Sequence, residues 1–196
     1  ARGSTNVFEV VLAELRDHDG LTGIGEAAPI GRYHESPATV EKFFRQVDVR
    51  RLSFHDVTAS MSYLDSLAAG DMAAKCALNL ALVDGAARKC GQPVYDYLGL
   101  GFREQHHVTS FSIGIDQPAN IRKKVIAAAA YPVLKVKVGV PEEQAILAAL
   151  REVAPTKAVR MDANEGWKSR EEALDRLEWL AQDGHIQFVE QPMPQT

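Results

Sequence analysis

With 196 residues, 46% of them apolar and 24% charged, the chain has the make-up of an ordinary folded protein with room for one large domain or two small ones, which excludes disorder. Its 22 basic and 26 acidic side chains leave a net charge of −4, and no extended basic run supplies the electrostatic footprint of a nucleic-acid binder, so a small-molecule partner is expected. No apolar stretch reaches the roughly 18 residues a membrane span needs and no secretory pattern opens the chain, so a cytoplasmic protein without membrane association is expected.

Residues 7–15 (VFEVVLAEL) and 20–28 (GLTGIGEAA) read as strands joined by the turn-forming Arg16-Asp17-His18-Asp19-Gly20, an antiparallel hairpin. Apolar residues at three- and four-residue spacing then predict helices over 37–47, 56–68 and 71–90, the last with Asp71 as N-cap, Gly91 as its stop and Pro93 beyond. Cys76 and Cys90 both fall on this third helix, about 21 Å apart at the helical rise, too far for a disulfide. They are expected to be reduced thiols serving as small buried hydrophobes.

From Val108 the rhythm changes to strand 108–115, helix 118–130, strand 133–138, helix 141–153, strand 158–162, helix 169–183 and strand 186–190. Pro141-Glu142-Glu143 suits a first helical turn, and Ser169 with Glu172 reads as a capping box. Three consecutive βα units imply parallel strands with right-handed crossovers, either in an open doubly wound sheet or in part of a (β/α)-barrel. Three units cannot close a barrel, and a sheet edge left open at the end of the chain is a liability, so the chain is expected to be incomplete. The division expected is an α+β domain over 1–105 and an α/β domain over 106–196.

The residues that could carry chemistry cluster in the second part. In Leu134-Lys135-Val136-Lys137-Val138-Gly139, alternation turns Lys135 and Lys137 to one face. Alternating lysines are a common polar strand face; alternatively, mutual repulsion and partial burial lower one lysine's pKa and make it a usable base. The following strands end in Met161-Asp162-Ala163-Asn164 and Val189-Glu190-Gln191-Pro192, placing Asp162 and Glu190 about one βα unit apart on the rim where α/β active sites are built. Such carboxylates often cap helices, but two hard oxygen donors in register with the lysines and without nearby His or Cys also suit magnesium.

Other motifs are weak. Gly23-Ile24-Gly25 lies inside the hairpin rather than at a strand-to-helix turn, and neither a phosphate loop nor a nucleophile elbow occurs. His106 and His107 read as linker residues, and His34, in Gly31-Arg32-Tyr33-His34-Glu35, as a surface residue worth following.

Together, Lys-x-Lys, Met-Asp-Ala-Asn and Val-Glu-Gln-Pro at successive strand ends after an α+β module resemble the muconate-lactonizing branch of the enolase superfamily. Thr109-Ser110-Phe111-Ser112-Ile113-Gly114-Ile115-Asp116, Asp162-Ala163-Asn164-Glu165-Gly166-Trp167 and Glu190-Gln191-Pro192-Met193-Pro194 look most like its dipeptide epimerases of the L-Ala-D/L-Glu type. The resemblance covers essentially the whole chain. It implies an enolase-like capping domain followed by the first strands and helices of the barrel. By position it makes Asp162 and Glu190 magnesium (Mg2+) ligands, Lys137 the acid/base on one face of the substrate, and Lys135 its partner near the substrate carboxylate, helping to keep Lys137 neutral. Ser112 falls where many relatives have a substrate-contacting Thr, and Arg2 in the capping-domain loop that recognises the distal end of the substrate. A third acidic ligand and an opposing lysine are expected beyond Thr196.

The implied activity is magnesium-dependent epimerisation of a dipeptide at its C-terminal residue through an enediolate, in an assembly of identical subunits. o-Succinylbenzoate synthase, N-acylamino acid racemase and cycloisomerase chemistry are alternatives on the same site, and a non-catalytic α/β binding protein is the alternative of another class.

Overall fold

In the computed structural model, which describes residues 7–194, β1 (Val11–Arg16) pairs antiparallel with β2 (Thr22–Ala27), from Val11↔Ala27 to Arg16↔Thr22. Asp17 shapes the turn by accepting from the N–H groups of Asp19 and Leu21, and Gly20 supplies the positive φ of 82° that the turn requires. Residues 7–10, expected as strand, precede the ladder, and Val7 and Phe8 are exposed. Along β2 the inward positions are Gly23, Gly25 and Ala27. The hairpin can therefore lie directly on helix α3: a Cβ on Gly23 or Gly25 would collide with the carbonyl oxygens of Ala81 and Ala77.

Helix α1 (Pro37–Phe44) starts from a complete capping box, Ser36 and Thr39 each accepting the other's backbone N–H, with Pro37 in its first turn. Asp56 caps α2 (Val57–Leu67) by accepting from Ala59 N. Helix α3 (Met72–Lys89) differs from expectation at its start. Asp71 occupies the cap position with φ 57° but makes no capping bond, and the carboxylate of Glu35 accepts from Ala73 N instead, at 3.1 Å. Its buried stripe is Ala74, Ala77, Leu78, Ala81, Leu82 and Gly85, so Cys76 and Cys90 fall outside it; both are free but exposed, not the buried hydrophobes expected. Pro93, expected only to lie beyond the helix stop at Gly91, opens a further short helix, α4 (Val94–Tyr97).

The described chain divides into two compact units, residues 7–102 and 103–194. In the second, β3 (Ser110–Ile113), β4 (Val133–Lys137), β5 (Ala158–Asp162) and β6 (Ile186–Glu190) form a parallel sheet in sequence order, connected by α5 (Pro118–Ala127), α6 (Glu143–Val153) and α7 (Arg170–Leu180). The buried residues of all three helices join one core with Leu134, Val136, Val159 and Met161, so the helices cover one face of the sheet. Sequential strand order with helices on a single face is barrel winding; a doubly wound sheet reverses its order and is covered on both faces. Helix α6 begins at Glu143, two residues after Pro141, and at α7 the box is half formed: Ser169 accepts from Glu172 N, while the Glu172 carboxylate accepts from Lys168 N. Among the described residues no helix is long and apolar enough to cross a membrane.

Candidate functional site

The face of the sheet opposite the helices is where the predicted residues gather. Because β4 buries Leu134 and Val136 against the helices, Lys135 and Lys137 must project from the other side. The parallel register sets Lys137 opposite Asp162, and Asp162 opposite Glu190, so the strand tips are level. Lys137 Nζ donates to Asp162 Oδ2 at 2.7 Å and to Asn164 Oδ1 at 2.9 Å. Lys135 Nζ donates to Glu190 Oε2 at 2.6 Å and lies 3.0 Å from the same Asp162 Oδ2. A single carboxylate oxygen thus holds both ammonium groups. Asp162 is 1% exposed, whereas both lysines and Glu190 are part-exposed.

At Lys135 the shift runs opposite to the depression that repulsion between the two lysines would produce. The hydrogen bond to Glu190 raises the Lys135 pKa above the ordinary lysine value, and burial, which opposes this, is outweighed. Burial of Asp162 favours its neutral form, but the hydrogen bonds from Lys137 and Lys135 and from Asn164 N–H prevail, and its carboxyl titrates below the usual range. At Lys135 the carboxylates of Glu190 and Asp162 offset the repulsion from a second ammonium group.

Asp162 Oδ2 and Glu190 Oε2 converge on one cationic point, Lys135 Nζ. Among the described residues no three His, Cys, Asp or Glu side chains gather into a metal-binding group. Two hard oxygen donors aimed at one cation nevertheless fit magnesium, which is commonly held by one or two carboxylates, with water and substrate completing its shell.

Ser112 lies on β3 in register with Lys135, on the lysine face, since Ile113 beside it is buried in the core. Arg2 lies outside the described residues. His34 ends the short Gly31–Tyr33 turn with φ 59° and is exposed, as are His106 and His107 in the segment leading to β3.

Two neighbours of the site were not singled out from sequence. Asn164 accepts from Lys137, and with Glu165 and Gln191 it forms a group of non-glycine residues at positive φ (47°, 62° and 46°) just past the two carboxylate-bearing strand tips. Such backbone persists only where its surroundings determine it, and an Asn two residues past a strand-ending Asp is the signal that could have marked it. Arg160, paired in register with Lys135, donates Nε to Gln187 at 2.9 Å and stands 5.4 Å from the Phe188 ring centre, adding a third cation to this face.

Residues 1–99 match the family described as Mandelate racemase / muconate lactonizing enzyme, N-terminal domain, and residues 119–196 the family described as Enolase C-terminal domain-like. The chain is 60% identical over 190 residues to an L-Ala-D/L-amino acid epimerase of Pedosphaera parvula, an alignment covering 97% of this chain and 55% of that protein. It is 37% identical over 183 residues to an L-Ala-D/L-Glu epimerase of Bacteroides thetaiotaomicron, covering 91% and 46%. Its fold is similar to that of a dipeptide epimerase from Cytophaga hutchinsonii crystallised with Mg and the dipeptide D-Ala-L-Val, with TM-score 0.85 and 29% identity over 94% of this chain and 52% of that one. The chain therefore spans about half the length of the curated relatives it matches. With both family matches in sequence order and the lysine and carboxylate strand tips in one register, the chain belongs to the mandelate racemase / muconate lactonizing enzyme family of the enolase superfamily and is similar to its dipeptide epimerases.

Proposed function

We propose that the protein is a dipeptide epimerase acting at the α-carbon of the C-terminal residue, with residues 1–105 as its capping domain and 106–196 as the first part of its barrel. The observation that carries this reading is the convergence of Lys135, Lys137, Asp162 and Glu190 on adjacent strand tips, two ammonium groups sharing Asp162 Oδ2. It is supported by the identity to proteins named as epimerases of this kind.

Lys137, as the free amine, takes the α-proton at Nζ: the C–H bond breaks, its electron pair moves toward the carboxylate, and an enediolate results. Asn164 Oδ1 and Asp162 Oδ2 orient that nitrogen. Lys135, kept charged, faces the substrate carboxylate and disfavours a second ammonium beside it. Asp162 and Glu190 would hold magnesium, which when bound supplies the positive charge that stabilises a carboxylate acquiring a second negative charge. Return of a proton from the opposite face inverts the centre, and the base for that face is proposed to lie outside residues 7–194. Ser112 is proposed to contact the substrate beside Lys135, and Arg2 its distal end.

The test is exchange of the substrate α-hydrogen with deuterated solvent, followed by mass spectrometry over dipeptide libraries, N-succinylamino acids and the o-succinylbenzoate precursor. Turnover of dipeptides, Ala-Glu first among them, is the expected result. Turnover confined to the other two classes would move the assignment within the superfamily, and absence of exchange from every compound would refute it.

A further inference from the structure

Beneath the strand tips lies a carboxylate that the proposed chemistry does not use. Glu143, the first residue of α6, is 1% exposed. A charge that deeply buried is costly unless other groups engage both its oxygens. Its Oε2 accepts from the backbone N–H of Gly139 and from the indole Nε1–H of Trp167, both at 3.1 Å. Oε1 lies 3.0 Å from Arg176 Nε on α7, an ion pair by distance whose N–H is not aligned for a hydrogen bond.

The partners give this carboxylate its significance. Gly139 stands two residues past Lys137, and Trp167 three residues past Asn164, so one side chain ties the loop after β4 to the loop after β5. The two loops also touch through backbone: with φ 80° at Gly139, a Cβ there would collide with Ala163 O, and one on Gly166 with Gly139 O. Val138 N donates to Asp162 O at 2.9 Å, while Glu165 N and Trp167 N donate to Gln191 O and Pro192 O at 2.7 and 3.2 Å, extending the tie to the loop after Glu190.

We propose that Glu143 is a positioning residue: its buried carboxylate braces the loops after β4 and β5 so that Lys137 Nζ and Asn164 Oδ1 keep the alignment that directs the lysine at one face of the substrate. The catalytic part of this rests on the epimerase reading; the brace does not. Glu143→Leu removes both acceptors. Glu143→Gln keeps one carbonyl oxygen for Gly139 and Trp167 and turns its amide toward Arg176, whose side chain is part-exposed. Trp167→Phe removes one of the two donors while keeping most of the ring.

In the intact protein, the expected result is that Glu143→Leu lowers kcat for α-hydrogen exchange from the epimer facing Lys137 by about 10- to 100-fold, the scale of a 1 Å misplacement. KM and exchange from the other epimer should change little, Trp167→Phe should give a smaller loss of the same kind, and Glu143→Gln should restore near-parental rates. Equal loss from both epimers, no loss, or a Gln variant as impaired as the Leu variant would overturn the proposal. Should the parent exchange no compound at all, the epimerase reading falls. The brace is then decided by hydrogen-exchange protection of the Gly139 amide and the Trp167 indole, which Glu143→Leu should lose and Glu143→Gln keep; unchanged protection in Glu143→Leu overturns it.

Discussion

Both edges of the parallel sheet gather basic side chains, but the partners differ in kind. Where the strands begin, Arg151 donates to Asp183 through Nε and Nη2, at 2.6 and 3.2 Å, and through Nη1 to the carbonyl oxygens of Ala154 and Lys157. Lys157 Nζ donates to the carbonyls of Ala129 and Tyr131, both at 3.0 Å. Several of these carbonyls sit at or just past helix ends, where backbone acceptors lack intrahelical partners. Where the strands end, Lys135 and Lys137 instead meet the side chains of Asp162, Glu190 and Asn164. A cation that satisfies backbone carbonyls is committed to the fold. One held by carboxylates on neighbouring strands can give up its proton, or cede those carboxylates to another cation, without orphaning a carbonyl.

Divalent metal removal should separate the two edges most sharply. Treating the intact protein with a chelator is expected to abolish turnover while circular dichroism stays unchanged, because only the strand-end carboxylates would hold the ion; full activity without metal would dissolve the contrast. Next in size, Lys137→Ala should reduce exchange from the epimer facing it by about 10²- to 10⁴-fold, the range for losing a general base. Near-normal exchange from both epimers would place the base elsewhere.

Arg151→Ala should do the reverse, costing about 1–3 kcal/mol of stability through unsatisfied acceptors, with kcat per folded molecule preserved in matched thermal melts and assays. The smallest effect is its pH dependence. Burial pushes the Asp183 carboxyl up, but the hydrogen bonds from Arg151 outweigh this and hold it below the ordinary value. A depressed carboxyl contributes stability above its unfolded pKa, about 3.9, and loses it as pH falls through the folded value. The Tm gap between parent and Arg151→Ala should hold from neutrality to about pH 4 and narrow below it. A gap that widens in acid would contradict the pairing.

Much of the site was legible because it depends on short-range geometry. Period-two alternation put Lys135 and Lys137 on one face, and βα spacing put Asp162 and Glu190 on one rim; the structure brings the four together. The raised pKa of Lys135 was not legible, since nothing local reveals that carboxylates from two later strands will reach its ammonium. Glu143 looked like an ordinary first-turn acid, and its burial depends on Trp167 and Arg176, which belong to a later βα unit. The true cap of α3 comes from Glu35, 38 residues before Ala73. Cys76 was misplaced because the stripe of α3 that meets the hairpin is mostly alanine with Gly85, so apolar side-chain size does not mark the buried side. Helix α4, four residues long, is too short to show a period.

Gly23 and Gly25 have a consequence for how the chain tolerates change. At these positions the strand and α3 meet backbone to backbone, so there is no side chain to truncate, and alanine replacement there is an enlargement that drives a methyl group into a carbonyl oxygen. In the parallel sheet the polarity reverses: Leu134 and Met161 are fully buried, and trimming either to alanine should cost about 2–5 kcal/mol. A saturation survey of the two units would then record opposite responses, the parallel-sheet core penalising lost volume and the hairpin–helix seam penalising added volume.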